Sequence, residues 1–145
     1  MKTLKIFLGS FLVFTILSFT GLQEAPKLVK EAFSHKFPTA KNVKWSQEKN
    51  QEWEAKFKMD KTEYSANFLE NGMWKETEHS IEINKVPAEM QANLNKSYPG
   101  YSIEEAEISE TKETVVYEFE MKKGKSKIEV AINMDGKIIE SENMK

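Results

Sequence analysis

The side chains that could perform nucleophilic or acid–base catalysis are few. Cysteine is absent and His35 and His79 are the only histidines, so a serine–histidine–acid arrangement would have to recruit one of them. We expect His35 on the solvent side of a helix and His79 at the surface of a strand. The two aspartates, Asp60 and Asp135, fall in predicted turns, where backbone preference accounts for them. The sequence therefore predicts no catalytic residue, no cofactor and no enzyme. An enzyme would need a pocket that holds His79 beside carboxylates.

Glutamates are abundant, and several are spaced two residues apart, which places both members of a pair on one face of a strand. These pairs are Glu52 and Glu54, Glu76 and Glu78, and Glu118 and Glu120. Such rows could hold a hard cation such as calcium or perform acid–base work. However, the chain lacks an aspartate-rich calcium loop, and lysines are interleaved with the glutamates. We therefore predict a solvated sheet face with no metal ligands, and keep a small-ligand or cation sensor as the alternative function.

Three tryptophans raise the question of an exposed binding anchor, because tryptophan is enriched at the centres of protein interfaces. Trp53 has the periodicity of a core position. Trp74 follows a predicted hairpin turn and shares a predicted strand face with Glu76 and Glu78. The candidate partner-binding residues are Trp74, Trp45, Glu76 and Glu78. A core role for Trp74 and Trp45 stays open at this stage.

The charge composition argues against nucleic acid as a partner. The chain of 145 residues has a formal net charge of −2, and removal of a leader would make it more negative. All 21 basic residues are lysines, so the chain has no guanidinium fork for bidentate recognition of phosphate or carboxylate. With 39% hydrophobic and 30% charged residues, the composition is that of an ordinary folded domain.

The N-terminus has the pattern of a signal peptide. Lys2 and Lys5 precede an apolar run from Ile6 to Phe19, which is short for a transmembrane helix. We predict a signal peptide over residues 1–21 and a periplasmic or secreted mature chain with no stable membrane insertion. An uncleaved anchor is the alternative. Without cysteine, the protein is not a lipoprotein.

The mature sequence contains an internal repeat. Phe33-Ser34-His35-Lys36-Phe37-Pro38 is echoed by Leu94-Asn95-Lys96-Ser97-Tyr98-Pro99, and Asn71-Gly72 is echoed by Asp135-Gly136. Self-similarity at a fixed period is typical of duplicated structural units. We predict two tandem units, residues 22–84 and 85–145, each an α+β arrangement of one helix packed on a four-stranded antiparallel sheet. Because neither unit alone has much core, we expect the two to pack together, and their sheets could continue side by side.

Periodicity predicts the same order of elements in both units. In the first, a helix carries Val29, Phe33 and Phe37 at steps of four, with Leu28 and Ala32 widening the apolar stripe. Four strands follow, in which apolar and polar residues alternate, and Asn71-Gly72 predicts a two-residue hairpin loop. The helix is expected to cover the apolar face of the sheet and to leave the other face polar.

These residues carry a resemblance to a known family. A helix that ends in an aromatic residue and proline precedes a tryptophan-bearing strand, Trp53-Glu54-Ala55-Lys56-Phe57, and Asn71-Gly72-Met73-Trp74. From about Pro26 to Glu142 the chain resembles the PepSY-like family of secreted bacterial proteins, also described as β-lactamase-inhibitor-like. The second unit departs from the pattern, with Tyr117 in place of Trp53 and Ile138 near the position of Trp74. The resemblance implies secretion and a duplicated α+β architecture, and it carries over no catalytic residue.

Together these observations predict a non-catalytic periplasmic or secreted protein that recognises a protein or peptide. Inhibition of an extracytoplasmic enzyme is one specific version of that function. The open sheet face and its loops are the expected binding surface, since an aromatic anchor with a charged rim suits protein recognition.

Overall fold

The structure, a computed structural model, describes residues 24–48 and 51–144. The elements in chain order are α1 (Lys27–Lys36), β1 (Lys41–Glu48), β2 (Glu52–Met59), β3 (Thr62–Leu69), β4 (Trp74–Ser80), α2 (Ala88–Ser97), β5 (Ser102–Thr111), β6 (Val115–Lys123), β7 (Ser126–Asn133) and β8 (Ile138–Asn143). A 3₁₀ turn at Ile83–Lys85 precedes α2. The predicted signal peptide lies outside the described residues. Neither helix of the described part has the length and apolar character needed to cross a bilayer.

All eight strands form one antiparallel sheet in the order of the sequence, from β1 to β8. The α+β class is thus confirmed. The strands do not form two separate four-stranded sheets, because β4 pairs directly with β5, with Thr77 opposite Glu110 and His79 opposite Ile108. Pairing at this seam satisfies the backbone groups of two strands that would otherwise be sheet edges. The origin of the two halves by duplication stays a prediction.

Helix α1 covers the first half of the sheet. Val29 and Phe33 are buried on it, and Phe37 is buried just after its end, as their four-residue spacing predicts. The helix ends there because Pro38 cannot continue the hydrogen-bond ladder. Leu28 is 58% exposed, so the prediction that it widens the buried stripe is wrong. The helix residues pack on a cluster that includes the wholly buried Phe68 of β3.

Helix α2 covers the second half in the same way. Met90 and Leu94 are buried and pack on Phe119, Met121 and Val130 from strands β6 and β7. The core therefore consists of two clusters, one beneath each helix and both on the same side of the continuous sheet. No helix of the described part covers the opposite side, and this leaves one whole sheet face available.

The hairpin between β3 and β4 is longer than the two-residue loop that Asn71-Gly72 predicts. The amide of Gly72 donates to the carbonyl of Leu69, and the amide of Leu69 donates to the carbonyl of Met73. Gly72 has φ +84°, whereas Asn71 does not adopt a positive φ. This is a three-residue loop in which the glycine forms a bulge. The amides of Gly136 and Asn133 make the equivalent bonds between β7 and β8.

We expect Gly72→Ala to destabilise the protein more than Gly136→Ala. Both glycines have a positive φ, +84° and +76°, where a side chain costs about 1–2 kcal/mol. A Cβ at Gly72 would also lie 2.9 Å from the carbonyl oxygen of Leu28, whereas nothing lies within 4 Å of one at Gly136. Chemical denaturation should show a loss of about 2–4 kcal/mol for Gly72→Ala and about 1 kcal/mol for Gly136→Ala. Equal losses would contradict a close approach of α1 to this loop.

Candidate binding face

The sheet face that points away from the helices carries a group of glutamates. Strand alternation sends Phe119 and Met121 into the core, so Glu118 and Glu120 point to the other side. Pairing across the sheet brings further glutamates onto that side from β4, β5 and β7. We call this group the acidic face, and it consists of Glu76, Glu78, Glu107, Glu118, Glu120 and Glu129.

Several of these carboxyl groups are shielded from solvent, so the prediction of a solvated sheet face is wrong for them. Glu118 is 2%, Glu129 5% and Glu120 6% exposed, and Glu54 on β2 is 4% exposed. Glutamate is almost never this buried without a partner. Within the part of the chain that the structure describes, the nearest neighbours of these groups are side chains on the same face of the adjacent strands.

Like charges lie directly opposite each other on this face. Glu107 of β5 is opposite Glu118 of β6, and Glu120 of β6 is opposite Glu129 of β7. The row continues to Glu142 of β8, which is opposite Glu129. Directly opposed like charges destabilise a sheet, because their Cβ atoms are only about 5 Å apart. Ionisation of both members of such a pair is therefore unfavourable.

Burial and mutual repulsion raise the pKa of these groups. Burial, followed by the charges of Glu76 and Glu107, raises the pKa of Glu78 to about 8. Burial, followed by the charges of Glu78 and Glu129, raises the pKa of Glu118 to about 8. Burial also raises the pKa of Glu107 and of Glu129 above the usual range. Part of the face therefore carries protons near neutral pH.

Hydroxyl groups and lysines stabilise some of the carboxylates. Ser65 donates a hydrogen bond to Glu78, Ser80 to Glu107 and Ser109 to Glu76. Lys127 forms an ion pair with Glu120, and the ammonium of Lys56 is 3.5 Å from Glu54. Glu118 and Glu129 receive no such bond from the residues described, and Oε1 of Glu129 is a buried acceptor without a donor. Buried polar atoms in folded proteins nearly always have a partner.

A bulge in β4 separates Trp74 from the acidic face. Phe68 pairs with Trp74 and the preceding residue, Asn67, pairs with Glu76, so Lys75 is the extra residue. The prediction that Trp74 shares a face with Glu76 and Glu78 is therefore wrong, because an inserted residue reverses the alternation of side chains. Trp74 packs against the core cluster beneath α1.

Specific contacts hold the Trp74 ring on the helix side. Its Nε1 donates to the carbonyl of Glu76 and to the hydroxyl of Thr77, at 2.8 and 2.9 Å. The ammonium of Lys36 lies 3.5 Å from the ring centroid, in cation–π geometry. Trp45 is also half-buried on this side, with its ring 5.2 Å from that of Phe33. The four candidate residues thus divide between two faces, with both tryptophans on the helix side.

The family to which the protein belongs is decided by its sequence. The family model described as "Putative beta-lactamase-inhibitor-like, PepSY-like" matches residues 51–140, from the start of β2 into β8. The chain belongs to this PepSY-like family. Among curated proteins, none shows significant sequence similarity to it.

Several solved structures share the fold of this PepSY-like protein. A BLIP-like protein from Bacteroides fragilis has a TM-score of 0.77 at 20% identity, over 86% of this chain and 90% of its own. A DUF2874 family protein from Bacteroides uniformis has a TM-score of 0.76 at 20% identity, over 83% and 90%. A "putative periplasmic" protein from Bacteroides eggerthii has a TM-score of 0.75 at 20% identity, over 83% and 90%. At these identities, the similarity establishes the fold.

The histidines of this PepSY-like protein lie away from the acidic face. His79 is half-buried on the helix side, where its ring stacks on Tyr64 at a centroid distance of 4.7 Å. The expectation of a surface histidine is therefore only partly met. Burial lowers the pKa of His79, which opposes its ionisation. His35 is exposed in the last turn of α1, as predicted.

No metal centre is evident in the described part of the chain, and the larger groove found there is open. No group of three histidine, cysteine or acidic side chains within it has an arrangement that could hold a metal ion. An open groove of about 750 Å³ lies beside the connection before α2, lined by Ser80, Gln91 and Glu105 among others. A small-molecule site normally encloses most of its ligand and is largely apolar. An extended surface such as the acidic face is better suited to a macromolecule.

Sequence reasoning found four of the six glutamates of the acidic face and missed two. Glu76, Glu78, Glu118 and Glu120 stand out as pairs within strands. Glu107 and Glu129 belong to the face only through their partners on neighbouring strands. The available signal was their place between core residues, since Glu129 is flanked by the buried Ile128 and Val130. The register between strands brings these glutamates together, and the sequence of a single strand does not predict that register.

Proposed function

We propose that this protein is a non-catalytic periplasmic or secreted binding protein that recognises a protein or peptide through the open face of its sheet. The observation that carries the proposal is the sheet face that no described helix covers, on which Glu118 and Glu129 are buried and Oε1 of Glu129 has no hydrogen-bond donor among the described residues. Burial of unpaired carboxyl groups costs stability. A face that keeps such groups is more readily explained by binding than by folding.

The extent of the acidic face supports a polypeptide partner. Its six glutamates occupy four adjacent strands, a width of about 15 Å across the sheet. The open groove beside α2 is too exposed to enclose a small ligand. A loop, strand or helix of another protein can contact all four strands at once.

The family suggests a more specific version, in which the protein inhibits an extracytoplasmic enzyme by covering its surface. The PepSY-like family is described as β-lactamase-inhibitor-like, and one protein of the same fold is called BLIP-like. The predicted signal peptide supports an extracytoplasmic location, and another protein of this fold is called periplasmic. We further propose that the two halves are duplicated units, since both follow the order helix then four strands.

Site-specific photo-crosslinking tests the binding face. A photoreactive residue replaces Ser80, which is exposed and bonded to Glu107 on the acidic face, in the full chain expressed in the source organism. The matched control places the same residue at Ala92, which is exposed on α2 on the other side. We expect a discrete crosslinked protein from position 80 alone. Crosslinks only from position 92, or from neither position, would overturn the proposal.

The cation-sensor alternative makes a different prediction. A cation that binds only the folded state raises the melting temperature according to its concentration and affinity. Because no group of three potential ligands converges in the described residues, we expect the melting temperature to stay constant with added calcium, zinc or copper. A saturable rise with one of these metals, abolished by Glu118→Gln, would favour the sensor over the protein-binding function.

A further inference from the structure

The chemistry of the acidic face indicates what kind of partner it fits. Its carboxyl groups offer acceptors, and the hydroxyls of Ser65, Ser80 and Ser109 are already directed at Glu78, Glu107 and Glu76. Lys127 at one end of the face is already paired with Glu120. The groups that this surface lacks are therefore hydrogen-bond donors with positive charge.

The carboxyl group of Glu129 points to a ligand for a reason other than the number of glutamates on the face. The residue is 5% exposed, and its Oε1 atom is buried with no hydrogen-bond donor among the described residues. It lies between Glu120 and Glu142 on the adjacent strands, so the carboxyl belongs to the acidic face. An acceptor in this position can be satisfied by a donor that enters from outside the sheet.

The spatial arrangement favours several linked cations over one ion. Glu107 is opposite Glu118, and Glu120 is opposite Glu129, so the repulsion recurs in successive rows across the sheet. A single metal ion could neutralise one row, and no group of three ligands in the described part converges to hold one. Lysine and arginine side chains projecting from one backbone can reach several rows, and charge-assisted hydrogen bonds to carboxylates are strong.

We infer that the acidic face binds a segment of a partner polypeptide that presents several lysine or arginine side chains. The inference rests on the proposed function and adds the chemistry of the partner to it. The cationic groups would contact the acidic face, and one of them would donate to Oε1 of Glu129. The helix side of the sheet, with its tryptophans, would not contact this segment.

A binding experiment with a defined probe tests the inference. The probe is a synthetic peptide in which lysine alternates with serine, and its control is the same peptide with every lysine acetylated. Calorimetry at low ionic strength should give a dissociation constant at least about tenfold lower for the cationic peptide. Added salt should weaken this binding, because the attraction is electrostatic. Equal binding of the two peptides, or no binding of either, would overturn the inference.

Matched variants distinguish the acidic face from overall negative charge. Glu118→Gln combined with Glu129→Gln should weaken peptide binding by about tenfold or more. Glu31→Gln combined with Glu113→Gln removes the same number of carboxyl groups from exposed positions on α1 and a loop, and should change binding less than about twofold. Equal losses from both double variants would overturn the inference. Glu142→Lys, at the exposed rim beside Glu129, gives a second test that leaves the buried carboxyls intact.

The outcomes also separate this inference from the proposed function. A crosslinked protein from position 80 together with no affinity for the cationic peptide would keep the binding function and reject a cationic partner. Calcium binding at the acidic face without peptide binding would reject both. Peptide binding that depends on Glu118 and Glu129, together with a position-80 crosslink to a lysine- or arginine-rich segment, would support both.

Discussion

The free energy of unfolding is expected to fall by about 2 kcal/mol for each of two shielded carboxyl groups as the pH rises from about 6.5 to about 9. In the folded state the pKa of Glu118 and of Glu78 is raised to about 8, from an ordinary value of 4.5. The folded protein therefore binds protons more tightly than the unfolded chain. Stability from this source is fully present below the unfolded pKa and is lost as the pH rises through the folded pKa. The pKa of His79 is lowered from 6.5, so its titration lies below this window.

The charged groups around Glu118 explain why its ionisation lowers the stability of the folded protein. The charged side chains that face it are Glu76 and Glu78 from β4, Glu107 from β5, Glu129 from β7, and Glu120 on its own strand with its partner Lys127. All but the lysine are acidic, and the lysine is already paired. Ionisation of Glu118 therefore adds a negative charge to a surface that is already negative and poorly solvated.

A glutamine at position 118 tests how much the ionisation of Glu118 contributes to the pH dependence of stability. Glu118→Gln keeps the shape of the side chain and removes its ionisation, so the variant should be more stable than the wild type at about pH 9. The advantage should shrink or reverse at about pH 5, where the carboxyl is protonated in the folded wild type. Glu113→Gln, in an exposed loop, is the matched control and should leave the pH profile unchanged. A wild-type stability that rises with pH over this range would contradict the assignment.

The fold was predictable from the sequence where the information is local. The four-residue spacing of Val29, Phe33 and Phe37 is sufficient to place α1, and strict alternation from Trp53 to Phe57 is sufficient to place β2. These patterns reflect which side of an element is buried, and each can be read within a few residues. The failure at Leu28 is of the same local kind, since the buried stripe of this short helix is narrower than predicted.

The candidate site was less predictable because it depends on relations between strands. The pairing of Glu120 with Glu129 needs the register of β6 against β7, and the pairing of Glu78 with Ser109 needs the seam between the two halves. The single extra residue Lys75 then reverses the side on which Trp74 lies. Register and bulges are set by the whole sheet, so no local pattern reveals them.

Removal of one core aromatic is expected to destabilise the whole sheet and not only its own half. Phe68 is fully buried beneath α1, where its ring lies 6.1 Å from that of Phe33. Phe68→Ala should lower the free energy of unfolding by about 3–5 kcal/mol, through lost burial and the cavity that remains. Because β4 pairs with the second half of β5, from Glu107 to Thr111, we expect unfolding to remain a single transition for the wild type and the variant.

This experiment measures how strongly the two halves of the sheet are coupled through the pairing of β4 with β5. Phe119→Ala removes the corresponding fully buried ring beneath α2 and should lower the same transition by a similar amount. Met73→Ala, at a side chain that is 57% exposed, should change stability by less than about 0.5 kcal/mol. If Phe68→Ala instead splits unfolding into two transitions and leaves one at its original position, the halves are energetically independent. The acidic face could not then act as one rigid surface, because Glu78 and Glu118 lie on opposite sides of that seam.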